Sequence, residues 1–324
     1  MIMLIDISYE YIAAILIILC LFIVLVANEL YIHTPRWRNI VRPVEKFRKE
    51  IPDGLDILNT GSNHAFFSID WTLTHYKGFS LASGSQSISW DYRLWSLYKR
   101  KIKPNGIALF VLSDLIFGFT EYPNDKSNFR YYQFLGQNVI PHWTRWKDIR
   151  YHRLPVLQSW KCFLYPFLRR GHDFVEKPPT LEYAEQESDA RIAGWEKEFS
   201  LKDLQHRESA AHLGDDIEEA IGILCRMTSE ARDIGAKPIL MIPPLSKVIK
   251  KKIAPEFLDE VLYKPVRKYL PDVPLLDYLS DNRFDDWRLY QNSDFMNKAG
   301  RAAFMPVLEH DLDSIECEGE MSKV

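Results

Sequence analysis

Cysteine is scarce and scattered in this sequence: Cys20, Cys162, Cys225 and Cys317 are the only four in 324 residues. No pair stands at zinc-ligand spacing and no disulfide framework is visible, so neither a metal centre nor any other cofactor is expected, and the redox compartment stays open. An excess of charge of one sign is also lacking. The chain carries 41 basic and 44 acidic residues, interspersed, for a net charge of −3, which offers no electrostatic footprint for a nucleic-acid partner. The most informative absence is short: no charged residue lies between Tyr11 and Asn28.

The core of that run, Ile12 to Ala27, is apolar on every face of a helix. Eighteen helical positions cover roughly 27 Å, close to the hydrocarbon thickness of a bilayer. Tyr9, Tyr11 and Tyr31 fall where an aromatic belt would sit. A cleaved signal peptide or a buried core helix would read similarly. A signal peptide, however, opens with Lys or Arg, whereas here only Asp6 and Glu10 precede the run, and no small-x-small cleavage site follows. The expectation is a retained single-pass anchor over residues 1–30, with the lipid bilayer as its partner. No other uncharged run is long enough to span, so deleting residues 1–30 is expected to release a soluble domain. Arg36, Arg38, Arg42, Lys46, Arg48 and Lys49 follow the anchor and no cation precedes it, which by the positive-inside rule puts the rest of the chain in the cytoplasm.

Residues 31–52 read as a charged juxtamembrane stem, with Pro35, Pro43 and Pro52 breaking any long helix. Beyond it, strand and helix patterns alternate. Apolar strands are expected at 55–60, 79–82, 106–112, 238–243 and 275–279, and helices at 65–75, 88–101, 215–234, 255–270 and 297–311. This is the pattern of an α/β domain over 53–313: three layers, with a flavodoxin-like parallel sheet of about five strands covered on both faces. A helical insertion of about 120–212 interrupts it. Its stretch Tyr131 to Arg170 is rich in aromatic and basic residues, including Trp143, Trp146, Trp160, Tyr165 and Phe167. Such a mixture suits single-stranded nucleic acid, sugar, a membrane-facing collar or a plain core. The acidic tail, 314–324, is expected to fray.

In an open parallel sheet, ligands bind beyond the carboxyl ends of the strands. The candidate loops are therefore Gly61-Ser-Asn-His64, Ser83-Gly-Ser-Gln-Ser87, Ser113-Asp114, Pro243-Pro-Leu-Ser246 and Asn292-Ser-Asp-Phe-Met-Asn-Lys-Ala-Gly300. Gly61, Asn63, Ser83, Gly84, Gln86 and Asn297 are candidate substrate-binding residues, with Ser83, Gly84 and Gln86 forming a polar cradle for an acyl or sugar group.

Three of these segments carry a resemblance. Ile57-Leu-Asn-Thr-Gly-Ser-Asn-His64 resembles the first block of the SGNH/GDSL hydrolases, a strand ending in Gly-x-Ser. Gly78 to Tyr92 is similar to the second block of membrane-anchored members associated with cell-surface polysaccharide. Asn292 to Gly300 resembles the last block, Asp-x-x-His-Leu-Asn-x-x-Gly. The family includes the extracytoplasmic D-alanyl transfer protein of lipoteichoic acid assembly, which shares the layout of anchor then domain. The resemblance covers about residues 55–310. It implies a domain outside the cytoplasm, a surface glycan as ligand, and an integral-membrane acyltransferase or glycan exporter as partner.

The departures are as informative. The nucleophile, acid and base positions of the family hold Asn63, Asn292 and Phe295. A carboxamide does not attack an ester as a serine oxygen does, and a phenyl ring takes no proton. The reading is a degenerate triad on a retained scaffold. An active alternative recruits neighbours: Ser62 as nucleophile, His64 as base and Asp294 as its orienting carboxylate. Against it, Ser62 reads equally as a helix N-cap, His64 as a surface residue of the first turn, and Asp294 as a cap of the last helix.

Overall fold

The computed structural model describes residues 9–113, 116–118, 120–121, 128–168, 179–201, 203–205 and 213–321. They fall into two compact units, one of residues 1–49 with 124–175 and the other of 50–123 with 176–324.

In the first unit, the apolar run forms one helix, Tyr9–Ile32, long and apolar enough to cross a membrane, with its side chains exposed along most of its length. The segment expected to be a stem is folded. Pro35 and Pro43 start helical turns, Pro35–Val41 and Arg42–Arg48, because the first position of a helix needs no N–H and suits the fixed φ of proline. Thr34 caps the first of these, its hydroxyl accepting from Trp37 N–H at 3.2 Å. The last turns of the long helix meet the aromatic insertion. Tyr31, Trp37, Val41, Val156 and Cys162 are buried together, with Val24, Ala27 and Tyr165 packed around them. Removing residues 1–30 would therefore take with it Val24 and Ala27, which pack against this cluster.

The second unit holds a five-stranded sheet in the order β2-β1-β3-β4-β5, every neighbouring pair parallel. The strands are β1 Leu55–Asn59, β2 Gly78–Ser80, β3 Ile102–Val111, β4 Lys237–Ile242 and β5 Leu275–Asp277. Residues 57–60, 107–112 and 239–242 are all buried, as strands covered on both faces must be. One face packs Ile57, Leu109, Val111 and Met241 against Ala65, Phe304 and Leu308. On the other, Phe110 meets Trp95 edge-on at 5.1 Å, and helices Ile88–Tyr98 and Gly214–Asp233 pack together. This is the expected α/β fold.

Some boundaries differ from expectation, for local reasons. The helix expected over 65–75 is confined to Asn63–Ser68. Asp70 then caps a separate turn, Trp71–Leu73, whose indole N–H is drawn to Asn59 Oδ1 at 2.8 Å. The third strand begins earlier, at Ile102, because its register against β1 shifts between Leu55 and Ile57 and admits Asn105 at positive φ. Helix 255–270 is interrupted by a π turn at Asp259–Tyr263. The closing helix, Lys298–Met321, runs on through most of the acidic tail that was expected to fray. Within the former insertion, helix Leu181–Glu198 belongs to the sheet-bearing unit.

Candidate functional site

The order 2-1-3-4-5 reverses direction between β1 and β3, so the crevice beyond their carboxyl ends is where such a sheet binds ligands. Gly61 turns the chain there at φ +128°, and a Cβ on it would lie 2.6 Å from Ala65 Cβ and 3.0 Å from Val111 Cβ. Both the dihedral and the space exclude a side chain.

The loop after β2 is tied to this turn by three hydrogen bonds, and Gln86 makes a fourth to Asp91. Gln86 N–H donates to Ser62 Oγ at 3.1 Å, and Ser85 N–H to Asn63 Oδ1 at 3.2 Å. Gln86 Nε2 donates to Gly61 O at 3.2 Å and to Asp91 Oδ1 at 2.6 Å. Asp91 Oδ1 also accepts from Gly61 N–H at 2.9 Å, and burial pushes this carboxyl up to about 7 against the pull of those two donors. Asp91, absent from the sequence reading, is thus the acceptor that holds two loops together. Its signal, an acid in the first turn of helix Ile88–Tyr98, is the same as that of any exposed helix-start carboxylate. Gln86 and Ser83 are buried, and the Gln86 amide is engaged within the protein, so the expected cradle is structural at this position. Gly84 is half-buried. Of the Ser113-Asp114 loop, Asp114 lies outside the described residues.

The third segment reaches the same place from the far end of the chain. Asn292 Oδ1 accepts from Asp294 N–H and Phe295 N–H at 3.2 and 2.8 Å, an Asx turn that engages the side-chain oxygen. Asn297 is engaged likewise. Its Oδ1 accepts from Gly300 N–H at 3.0 Å as the N-cap of the closing helix, and its Nδ2 donates to Arg288 O and Tyr290 O, both at 2.8 Å. Its amide is thus engaged with the backbone at both ends.

This turn delivers Asp294, 2 % exposed, to His64, 9 % exposed, with Nε2 and Oδ2 3.9 Å apart. Neither is the surface residue or helix cap that the sequence also allowed. Arg191 lies 3.4 Å from both carboxylate oxygens of Asp294 and 3.0 Å from Glu187. Glu187 in turn accepts from Ser293 N–H at 3.0 Å and from its hydroxyl. Ser246, from the loop after β4, donates to Ser293 O. Phe295 stacks on Phe67 at 5.1 Å, meets the His64 ring edge at 5.3 Å, and carries the Arg191 guanidinium over its face at 4.9 Å.

Arg191 and Glu187 escaped the sequence reading because they lie on helix Leu181–Glu198, about a hundred residues upstream of their partners. Their i, i+4 spacing reads as an ordinary surface pair. Chemically, the arrangement is an imidazole beside a buried carboxylate that shares one guanidinium with Glu187. Such a group can orient a proton or hold a polar ligand. No family model matches the chain, and no curated protein matches it either.

Proposed function

We propose that this is a membrane-anchored, SGNH-hydrolase-like protein that serves cell-surface glycan assembly or acylation without running a serine triad of its own. The observation that carries the reading is the convergence of three segments distant in sequence at one sheet edge. The side chains at the family's nucleophile and acid positions, Asn63 and Asn292, are absorbed in loop hydrogen bonds, and the one at its base position, Phe295, in an aromatic stack. A scaffold kept in this way fits a subunit that holds a glycan for an integral-membrane acyltransferase or exporter. The helix Tyr9–Ile32 anchors it in a single pass. The sheet-bearing unit faces away from the cytoplasm, since large domains translocate against a local charge bias.

The test is covalent labelling of purified full-length protein with a fluorophosphonate probe, together with short acyl-ester hydrolysis. The expected result is neither labelling nor turnover above weak background, and unchanged cellular function for Ser62→Ala.

A second reading is favoured by one contact. His64 and Asp294, 3.9 Å apart, supply a base and its orienter, and the Ser62 oxygen that accepts from Gln86 keeps its own proton to give. Stoichiometric labelling of Ser62, with loss of function in Ser62→Ala and in His64→Ala, would establish this acyl-transfer reading instead.

A further inference from the structure

The unit built on the N-terminal helix contains a cavity of about 400 Å³ that the proposed function does not use. Among the described residues, three cations line it, Arg36, Arg150 and Lys161, and no Asp or Glu does. Two of its donors are buried, and among the described residues Arg150 Nε and Gln158 Nε2 meet no acceptor. An unmatched cationic wall with unsatisfied N–H groups is costly unless an anion completes it. Arg150 is held for the purpose, because its terminal nitrogen donates to Gln158 O at 2.5 Å and fixes the guanidinium in the wall. Arg36 is braced 4.4 Å over the Tyr165 ring.

The position in the chain says which anion. Tyr31 lines the same cavity and stands four residues beyond Ala27, where the apolar run ends. Four helical residues rise about 6 Å, which reaches the headgroup layer flanking the hydrocarbon core. The segment that carries Lys161 also exposes Trp160 (69 %), Leu164 (43 %) and Phe167 (74 %), side chains that suit the boundary between headgroups and acyl chains.

We propose that this cavity binds the phosphate of an anionic membrane lipid, with Arg36, Arg150 and Lys161 on its oxygens and the exposed aromatic segment seated in the interface beside the acyl chains. The proposal rests on the membrane-anchor part of the proposed function and is independent of whether the sheet-bearing unit is catalytic.

The experiment is native mass spectrometry of the full-length protein in a mild detergent, titrated with phosphatidylglycerol or with phosphatidylcholine of the same acyl chains. The wild type is expected to retain one phosphatidylglycerol at least tenfold more tightly than phosphatidylcholine. Lys161→Gln, an exposed position that leaves the fold intact, is expected to lower that affinity roughly fivefold, as removing one cation from an anionic surface does. Arg150→Gln should lower it further. Equal retention of the two lipids, or a Lys161→Gln variant that binds as the wild type does, overturns the proposal. Displacement by inorganic phosphate at concentrations matching those of the lipid overturns the lipid assignment in favour of a free anion. Alkaline carbonate extraction of membranes tests the anchor separately. Extraction of the protein refutes the anchor, whereas failed lipid selectivity in a carbonate-resistant protein refutes the cavity alone.

Discussion

Replacing Asp91 by Asn should make this protein more stable at neutral pH, against the usual expectation for loss of a hydrogen-bonded carboxylate. Burial raises the Asp91 carboxyl from 3.8 to about 7. The unfolded chain therefore releases this proton first, and between those values the folded state holds more protons than the unfolded one. Stability falls as pH rises through that window and levels off above it. A rise of roughly three units corresponds to about 4 kcal/mol at 1.36 kcal/mol per unit. Asparagine keeps the oxygen that accepts from Gly61 N–H and Gln86 Nε2, but it has no charge to desolvate. The stability difference between variant and wild type should thus shift toward Asn by up to about 4 kcal/mol between about pH 4 and pH 8. Other titrating groups cancel in this comparison provided they are not coupled to Asp91. Urea unfolding of both full-length proteins in detergent, followed by pulse proteolysis across that range, measures it. A difference that stays constant with pH would mean that Asp91 is ionised throughout, and the account of the loop clamp would be wrong.

Arg191→Ala should destabilise the sheet-bearing unit by roughly 3 kcal/mol, because it leaves the buried Asp294 carboxylate without its cation. Urea midpoints would show this, and a change below about 0.5 kcal/mol would place the pair among exposed bridges. Gly61→Ala should cost about 2 kcal/mol or more from its φ of +128° and the 2.6 Å approach to Ala65, read from the same transition; a neutral result would show that the turn relaxes. Deleting residues 1–30 should leave β1 to β5 protected from hydrogen exchange while amides over 129–165 lose protection, since Val24 and Ala27 pack into the core around Val156 and Cys162. Uniform protection would show that the anchor detaches cleanly.

What the sequence determined by itself is what local periodicity and composition encode. The uncharged run from Tyr11 to Asn28 announces a membrane-length helix, because no buried core of this size needs so long a featureless apolar face. The apolar strands at 107–112 and 239–242 announce a parallel sheet, because only strands covered on both faces lack polar alternation. Gly61 and the segments around 83–87 and 292–297 were legible as strand-end loops for the same reason.

Only the tertiary structure decided which side chains in those loops are engaged and which are brought together. Asn297 and Gln86 look like ligand-facing amides in a list of residues, and buried backbone groups engage them as cap and clamp. His64 and Asp294, 230 positions apart, meet only because the closing helix returns to the face of the sheet that carries helix Asn63–Ser68. Arg191 and Asp91 were illegible because their role is to neutralise or accept from groups distant in sequence, and no local pattern records such a partner. The turns within 31–52 were illegible for the same reason: Pro35 and Pro43 start helical turns that pack with an aromatic segment about a hundred residues away.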